Sequence, residues 1–85
     1  MIWQIKWMED ALAELRRLDR KTRELIVKAV ERLAETGHGD IERVKGSEPV
    51  LRLRVGKWRV FFEYMHEEQV IRIAHVYPRG GAYKK

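Results

Sequence analysis

The chain opens with apolar residues at alternate positions, Trp3, Ile5 and Trp7, separated by polar ones. This period of two predicts a strand with one buried face. Acidic Glu9 and Asp10 follow, and negative charge in the first turn of a helix is stabilised by the helix dipole. The apolar period then lengthens to three or four residues, which predicts a first helix whose buried stripe consists of Ala11, Leu12, Leu15 and Leu18.

A second helix is predicted directly after the first. Asp19 is a residue type that caps helix N-termini, and Thr36-Gly37 marks the end because glycine readily adopts the left-handed conformation found there. The apolar face of this helix is predicted to consist of Leu25, Ile26, Ala29, Val30 and Leu33. Two helices joined by so short a connection predict a helical hairpin.

The second half of the chain has the composition of strands. Glycines and a proline within residues 37–49 predict an irregular connection. Three segments rich in β-branched and aromatic residues follow, at Val50–Val55, Lys57–Met65 and Gln69–Val76. The order β-α-α-β-β-β predicts a single α+β domain over residues 1–85. In it, a small antiparallel-rich sheet of about four strands carries the N-terminal helical hairpin on one face.

The turn between the second and third predicted strands sets their register. Gly56-Lys57, with glycine first, suits a two-residue type II′ hairpin, which places Arg54 directly opposite Arg59. The residues predicted to face the helices are Leu51, Leu53, Val55, Trp58, Val60 and Phe62. The residues predicted to face the other way are Arg52, Arg54, Arg59, Phe61 and Glu63.

Three arginines on one face, two of them opposed, are unfavourable for the sheet by up to about 1 kcal/mol. The predicted register places no carboxylate across from Arg54, and Glu63 is too far along the strand to offset the repulsion fully. The cluster therefore indicates an anion such as phosphate, which guanidinium groups bind well. Phe61 among the arginines is predicted to offer a flat surface on which an RNA base can stack. The alternative is a solvated face with a chance cluster.

Charge and composition narrow the class of protein. The net charge is +5, and the surplus lies in residues 43–85, where 10 Lys and Arg stand against 4 Asp and Glu. The absence of cysteine excludes disulfides and thiolate metal sites and fits a cytoplasmic location. The three histidines lack metal-ligand spacing, and no phosphate-binding glycine loop precedes a helix, so we expect neither metal nor cofactor. The N-terminus has no long apolar run, so we expect neither a signal peptide nor a membrane span.

Four segments of the chain together form a recognisable pattern: Trp3-x-Ile5-x-Trp7-x-x-x-Ala11-x-x-x-Leu15-x-x-Leu18, Arg23-x-x-Ile26-x-x-x-Val30-x-x-Leu33, Val44-Lys45-Gly46 and the segment from Leu51 to Glu63. With this pattern the chain resembles, over nearly its whole length, the RelE/ParE superfamily of toxins. The most specific part is Leu53-Arg54-Val55-Gly56-x-x-Arg59. The resemblance implies the same fold and a toxin of a type II toxin–antitoxin pair.

RelE-like toxins cleave mRNA in the ribosomal decoding (A) site by attack of a ribose 2′-hydroxyl on the adjacent phosphate, and a cognate antitoxin inhibits them. The resemblance therefore implies antitoxin, mRNA and ribosome as partners. By position, Arg52 and Arg54 match the two basic hairpin residues, Arg59 matches the phosphate-binding arginine, and Arg79 and Tyr83 match a pair in the tail. Further RNA contacts are predicted for Lys45, Lys57, Phe61, Lys84 and Lys85.

One departure from the RelE pattern concerns the general base. The two hairpin positions are lysines in the RelE pattern, whereas Arg52 and Arg54 stand here, and arginine does not lose its proton. The base would then be His75 or, second, Tyr83; alternatively, positioning and charge neutralisation supply most of the rate. By strict alternation His75 shares a face with Ile71 and Ile73, which would turn it towards the core.

Two other functions are compatible with the same fold. A ParE-like toxin inhibits DNA gyrase and cuts no nucleic acid, and a degenerate member of the superfamily would bind only its antitoxin. Fold alone does not separate these functions. The retained outer arginines, together with Arg79 and Tyr83, favour the nuclease.

Overall fold

The structure, a computed structural model, describes residues 2–81, which form two helices and one mixed sheet. The elements are β1 (Gln4–Trp7), α1 (Glu9–Arg16), α2 (Arg20–Thr36), β2 (Ile41–Arg43), β3 (Leu51–Val55), β4 (Trp58–Met65) and β5 (Val70–Pro78). The strand order is β1-β5-β4-β3-β2, with β1 parallel to β5 and the other neighbours antiparallel. The α+β class is confirmed, but the sheet has five strands, because β2 forms within the connection predicted to be irregular.

Both ends of α2 form as predicted. The carboxylate of Asp19 accepts hydrogen bonds from the hydroxyl and the backbone N–H of Thr22, and these bonds lower the pKa of Asp19. At the other end Gly37 has φ +75°, and its N–H donates to the carbonyl of Leu33 at 2.9 Å. α1 ends at Arg16 and α2 begins at Arg20, so the connection between the two helices is as short as predicted.

The core lies between the helices and one face of the sheet. Leu53, Val60 and Phe62 are buried there, as predicted. Their buried neighbours in the core are Ala11, Leu15, Ile26, Val30, Leu33, Ala34, Ile71, Ile73 and Val76. Leu25 was assigned to the apolar face of α2, but it is 63% exposed. The buried face is centred on Ile26 and Val30. Because successive residues of a helix are rotated by about 100°, Leu25 lies to the side of this face.

The hairpin register is confirmed. Val55 pairs with Trp58 and Arg54 with Arg59 across a turn in which Gly56 has φ +58°. A positive φ at the first loop position and not at Lys57 is the arrangement expected of a type II′ turn. The helix-facing and outward-facing sets therefore separate as the alternation predicted.

A bulge changes the facing of β5. Phe61 pairs with His75 whereas the next residue, Phe62, pairs with Ile73, so Ala74 is an extra residue on β5. Before the bulge Ile71 and Ile73 face the core; after it Val76 does. The prediction that His75 shares the face of Ile71 and Ile73 is wrong, because the extra residue moves His75 to the outward face.

Within residues 2–81, neither helix is long and apolar enough to cross a membrane.

The Asp19 cap yields a stability prediction. We expect Asp19→Ala to lower the midpoint of thermal unfolding on the order of 5 °C at neutral pH. Because folding depresses the pKa of Asp19 below 3.8, its contribution is present above that value and is lost as pH falls through the folded-state pKa. The difference between parent and variant should therefore shrink in acid. Melts showing an equal difference at pH 7 and pH 2 would contradict the ionised cap.

Candidate functional site

The candidate site is the outer face, meaning the face of the sheet opposite α1 and α2. Cross-strand pairs arrange its side chains in two adjacent rows, since directly paired residues project to the same side. One row runs Glu42, Arg52, Phe61, His75 and the next runs Arg54, Arg59, Tyr77. Neighbouring strands lie about 4.8 Å apart, so each row brings cations and aromatic rings from several strands together.

The carboxylates that balance Arg52 and Arg54 come from β2 and the residue before it. Arg52 Nε donates to Glu42 Oε1 at 3.0 Å, and Arg54 lies 3.6 Å from Asp40 Oδ2 and 3.9 Å from Glu42 Oε2. Arg52 and Arg54 therefore have nearby carboxylates that the sequence did not predict, because β2 was not predicted. A phosphate at this face would compete with Glu42 for Arg52.

Arg59 is held by the turn itself. Its Nη1 donates to the carbonyl of Gly56 at 3.0 Å and to the carbonyl of Trp58 at 2.9 Å. These two bonds direct the Arg59 guanidinium to the turn, whereas the guanidinium of its cross-strand neighbour Arg54 lies near Asp40 and Glu42. Both bonds are donated by Nη1, whereas a guanidinium has five N–H donors on three nitrogens, so these bonds do not use the donors of Nε and Nη2.

Glu63 has a different partner from the one expected. It forms an ion pair and hydrogen bond with Arg72, its cross-strand neighbour on β5, rather than offsetting the three hairpin arginines. Arg72 was not singled out in the sequence, although its place between Ile71 and Ile73 marks it as an outward residue.

Phe61 does not form the exposed stacking surface that was predicted. Only 1% of the residue is exposed, although it lies on the outer face. Its ring centroid is 5.4 Å from that of Tyr77, which in turn stacks on His75 at 4.7 Å with an interplanar angle of 21°. Phe61 is therefore the base of an aromatic cluster with Tyr77 and His75. Tyr77 was not among the predicted site residues; its place beyond the bulge could not be read from alternation.

His75 contacts an acidic residue from α1. Its Nδ1 lies 3.2 Å from Glu14 Oε2, while Glu14 Oε1 accepts the backbone N–H of Val76 at 2.8 Å. The carboxylate occupies the edge of β5 beyond the last residue of β1, Trp7. Sequence reasoning missed Glu14, since nothing in the helical pattern relates it to a residue 61 positions later.

The connection after β2 closes one side of the site. A cavity of about 320 Å³ opens there, lined by Arg43, Val44, Lys45, Ser47, Arg52, Phe61 and Gly81. Lys45, predicted to bind RNA, is exposed at its rim, and the nearly buried Phe61 forms part of its floor.

The segment after β5 turns back towards the same cavity. The N–H of Arg79 donates to the carbonyl of Lys57 at 2.7 Å, which places two predicted site residues side by side at the hairpin end, both exposed. The N–H of Gly81 donates to the carbonyl of Pro78 at 2.9 Å, closing a turn. The predicted residues Tyr83, Lys84 and Lys85 lie outside the described residues.

The structure thus brings together Arg52, Arg54, Arg59 and His75 on one face, with Arg79 at its end. Chemically, such a face can bind a phosphate through several guanidinium groups and present an imidazole to a nearby proton.

Comparison with known proteins agrees with this architecture. The sequence profile of the ParE toxin of type II toxin–antitoxin systems (parDE) matches residues 5–83. A Methanocaldococcus jannaschii protein described as a candidate toxin RelE1 is 44% identical over 45 residues, which cover 53% of this chain and 50% of that protein. The matched region is therefore only about half of that relative's length.

Solved structures share the fold. A chain of the archaeal RelE–RelB complex from Pyrococcus horikoshii OT3 superposes with a TM-score of 0.78 at 22% identity, covering 96% of this chain and 100% of that one. A chain of the chromosomal ParDE toxin–antitoxin system of P. aeruginosa gives 0.74 at 17% identity, covering 92% and 97%. With the profile spanning almost every element described above, the chain belongs to the ParE toxin family of type II toxin–antitoxin systems, within the RelE/ParE superfamily.

Proposed function

We propose that this toxin is a RelE-like endoribonuclease that cleaves mRNA in the ribosomal A site by attack of a ribose 2′-hydroxyl on the adjacent phosphate. The observation that carries the proposal is the outer face, where Arg52, Arg54 and Arg59 share two adjacent rows with His75. Similarity to proteins named RelE supports it.

The arginines would bind and neutralise the phosphate. Negative charge grows on the phosphate oxygens as the 2′-oxygen attacks, and fixed cations stabilise that charge. Arg59 is the best oriented for this role, because two bonds to turn carbonyls fix its position before RNA arrives. Arg52 and Arg54 would exchange contacts with Glu42 and Asp40 for contacts with phosphate. Arg79, exposed at the hairpin end, would bind a neighbouring phosphate.

His75 would take the proton from the 2′-hydroxyl. An arginine cannot do so, whereas histidine is suited to proton transfer near neutral pH. The bulge at Ala74 supports this role, because it places the imidazole on the same face as the arginines rather than in the core. Tyr83 remains the second candidate for the base.

The partner of the toxin in the cell would be a cognate antitoxin, acting in the cytoplasm. Chains of similar fold were solved in complexes of RelE with RelB from Pyrococcus horikoshii and Escherichia coli. A net charge of +5, with its surplus in the half that forms the outer face, favours an inhibitor that is acidic where it meets the toxin.

The proposal is tested by primer extension on mRNA from cells expressing the toxin, beside a gyrase supercoiling assay with the purified chain. New mRNA ends inside translated codons, with unimpaired supercoiling, are the expected result. Intact mRNA with inhibited supercoiling would contradict the proposal.

Gyrase inhibition is the second candidate function. It is favoured by the match of the ParE toxin profile to residues 5–83 and by the similarity to the P. aeruginosa ParDE structure. It is also compatible with the ion pairs of Arg52 and Arg54, since a protein that cuts no RNA needs no arginine available to phosphate.

Loss of Arg59 should weaken RNA binding. We expect Arg59→Ala to reduce the salt dependence of binding, as the slope of log K against log [salt], by about 0.7–0.9, the loss of one phosphate contact. Unfolding free energy should fall by no more than about 1 kcal/mol, since the turn carbonyls it bonds can be solvated. Arg32→Ala on α2, an exposed position away from the outer face, is the control with the same change in charge. Equal slopes for the two variants would contradict the assignment.

Loss of the imidazole should slow cleavage without weakening binding. We expect His75→Gln to reduce the single-turnover cleavage rate on programmed ribosomes by about 10²-fold or more with unchanged affinity. Normal cleavage by His75→Gln would contradict His75 as the base. The base would then be Tyr83, or charge stabilisation would supply the rate without any protein base.

Antitoxin binding should be tight and electrostatically steered. We expect a dissociation constant in the nanomolar range or below, with an association rate that falls as salt is raised. Both constants would be measured by surface plasmon resonance, with the purified toxin binding the immobilised product of the neighbouring open reading frame at several salt concentrations. Failure of the two products to form a complex on co-expression would count against this partner.

A further inference from the structure

Glu14 occupies a position that only the tertiary fold creates. It projects from α1 to the part of β5 that extends beyond β1, and there it contacts one side chain and one backbone group. Oε1 accepts the N–H of Val76 at 2.8 Å, so one oxygen of the carboxylate is fixed by the sheet itself. Nδ1 of His75 lies 3.2 Å from Oε2 and 3.4 Å from Oε1, so Oε2 is its nearer partner.

This contact determines which nitrogen of the neutral imidazole carries the proton. An ionised carboxylate only accepts hydrogen bonds, so Nδ1 must be the protonated nitrogen and the lone pair must lie on Nε2. The side chains of His75 and Glu14 are 15% and 21% exposed, so water competes little for the bond. Stacking on Tyr77 at 4.7 Å further restricts rotation of the ring.

We propose that Glu14 is a positioning residue that holds His75 in the Nδ1–H tautomer, with Nε2 as the proton acceptor. The inference rests on the proposed nuclease function and deepens it. In the reaction, the proton of the ribose 2′-hydroxyl moves to Nε2 while the 2′-oxygen bonds to phosphorus. The bond from phosphorus to the 5′-oxygen of the next nucleotide breaks, and that oxygen takes a proton from water. Glu14 stays ionised and stabilises the imidazolium that forms.

Glu14→Gln separates this role from a purely structural one. Glutamine has the same shape, and the N–H of Val76 requires the amide oxygen to keep the position of Oε1. The amide NH₂ then takes the place of Oε2, the oxygen nearer to His75 Nδ1, where it donates rather than accepts. The substitution should therefore move the proton of the neutral ring to Nε2 and place the lone pair on the wrong nitrogen.

The test combines a spectroscopic and a kinetic measurement on the full chain purified away from its antitoxin. Long-range ¹H–¹⁵N NMR of the neutral imidazole should show the Nδ1–H tautomer of His75 in the parent and the Nε2–H tautomer in Glu14→Gln. Single-turnover cleavage on programmed ribosomes should fall about 10²-fold in Glu14→Gln, with unchanged binding. Glu9→Gln, the same change at an exposed position of α1, should alter neither tautomer nor rate.

The outcomes separate this inference from the function on which it rests. A parent in the Nε2–H tautomer, or a Glu14→Gln variant that cleaves as fast as the parent, would overturn the role of Glu14 alone, because cleavage itself would persist. A parent that cuts no mRNA would overturn the nuclease proposal and the catalytic use of this pair together. A rate loss matched by weaker binding and a lower melting temperature would assign Glu14 a structural role instead.

Discussion

The outer face depends on one irregularity, the extra residue at Ala74 in β5. Without it, strict alternation along β5 would place His75 with Ile71 and Ile73 against the helices, and Val76 outside. With it, Val76 enters the core at 3% exposure, and His75 and Tyr77 join the arginines of the hairpin. A bulge costs part of the local hydrogen-bond ladder, and such irregularities are found near active sites, where they redirect a side chain. The same shift brings His75 within reach of Glu14.

Electrostatics on this face are more balanced than the arginines alone indicate. Glu42 in β2 forms ion pairs with Arg52 and Arg54, and Asp40, the residue before β2, forms a second ion pair with Arg54. With side chains about one-third exposed, the pair of Arg52 and Glu42 contributes little to stability, about 0–1 kcal/mol. It does orient the guanidinium, and under the proposed function a phosphate would have to displace this carboxylate. Arg59, bonded to neutral carbonyls, has no such competitor among the ion pairs of residues 2–81.

Local chemistry made much of the fold predictable. The Asp19 and Gly37 caps, the hairpin turn at Gly56 and the opposition of Arg54 and Arg59 all follow from short-range rules, and all are present. The features that were missed are non-local. β2 is three residues long and exists because it pairs with β3, and the bulge leaves no mark in the alternation of β5. Phe61 is 1% exposed although alternation places it on the outer face, where its ring contacts that of Tyr77. The sequence pattern placed Arg52, Arg54 and Arg59 on one face, but it did not relate Arg52 to Glu42 or His75 to Glu14, because these partners come from distant segments.

The central claim, that this outer face cuts RNA by 2′-hydroxyl attack, is tested most directly by the chemistry of the product ends. The measurement is end-group analysis of an mRNA bound to ribosomes and treated with the purified toxin. Attack by the neighbouring 2′-oxygen predicts a 5′-hydroxyl on one fragment and a 2′,3′-cyclic phosphate on the other. Fragments that carry 5′-phosphates, or an mRNA that remains whole while the same toxin blocks supercoiling by gyrase, would contradict it.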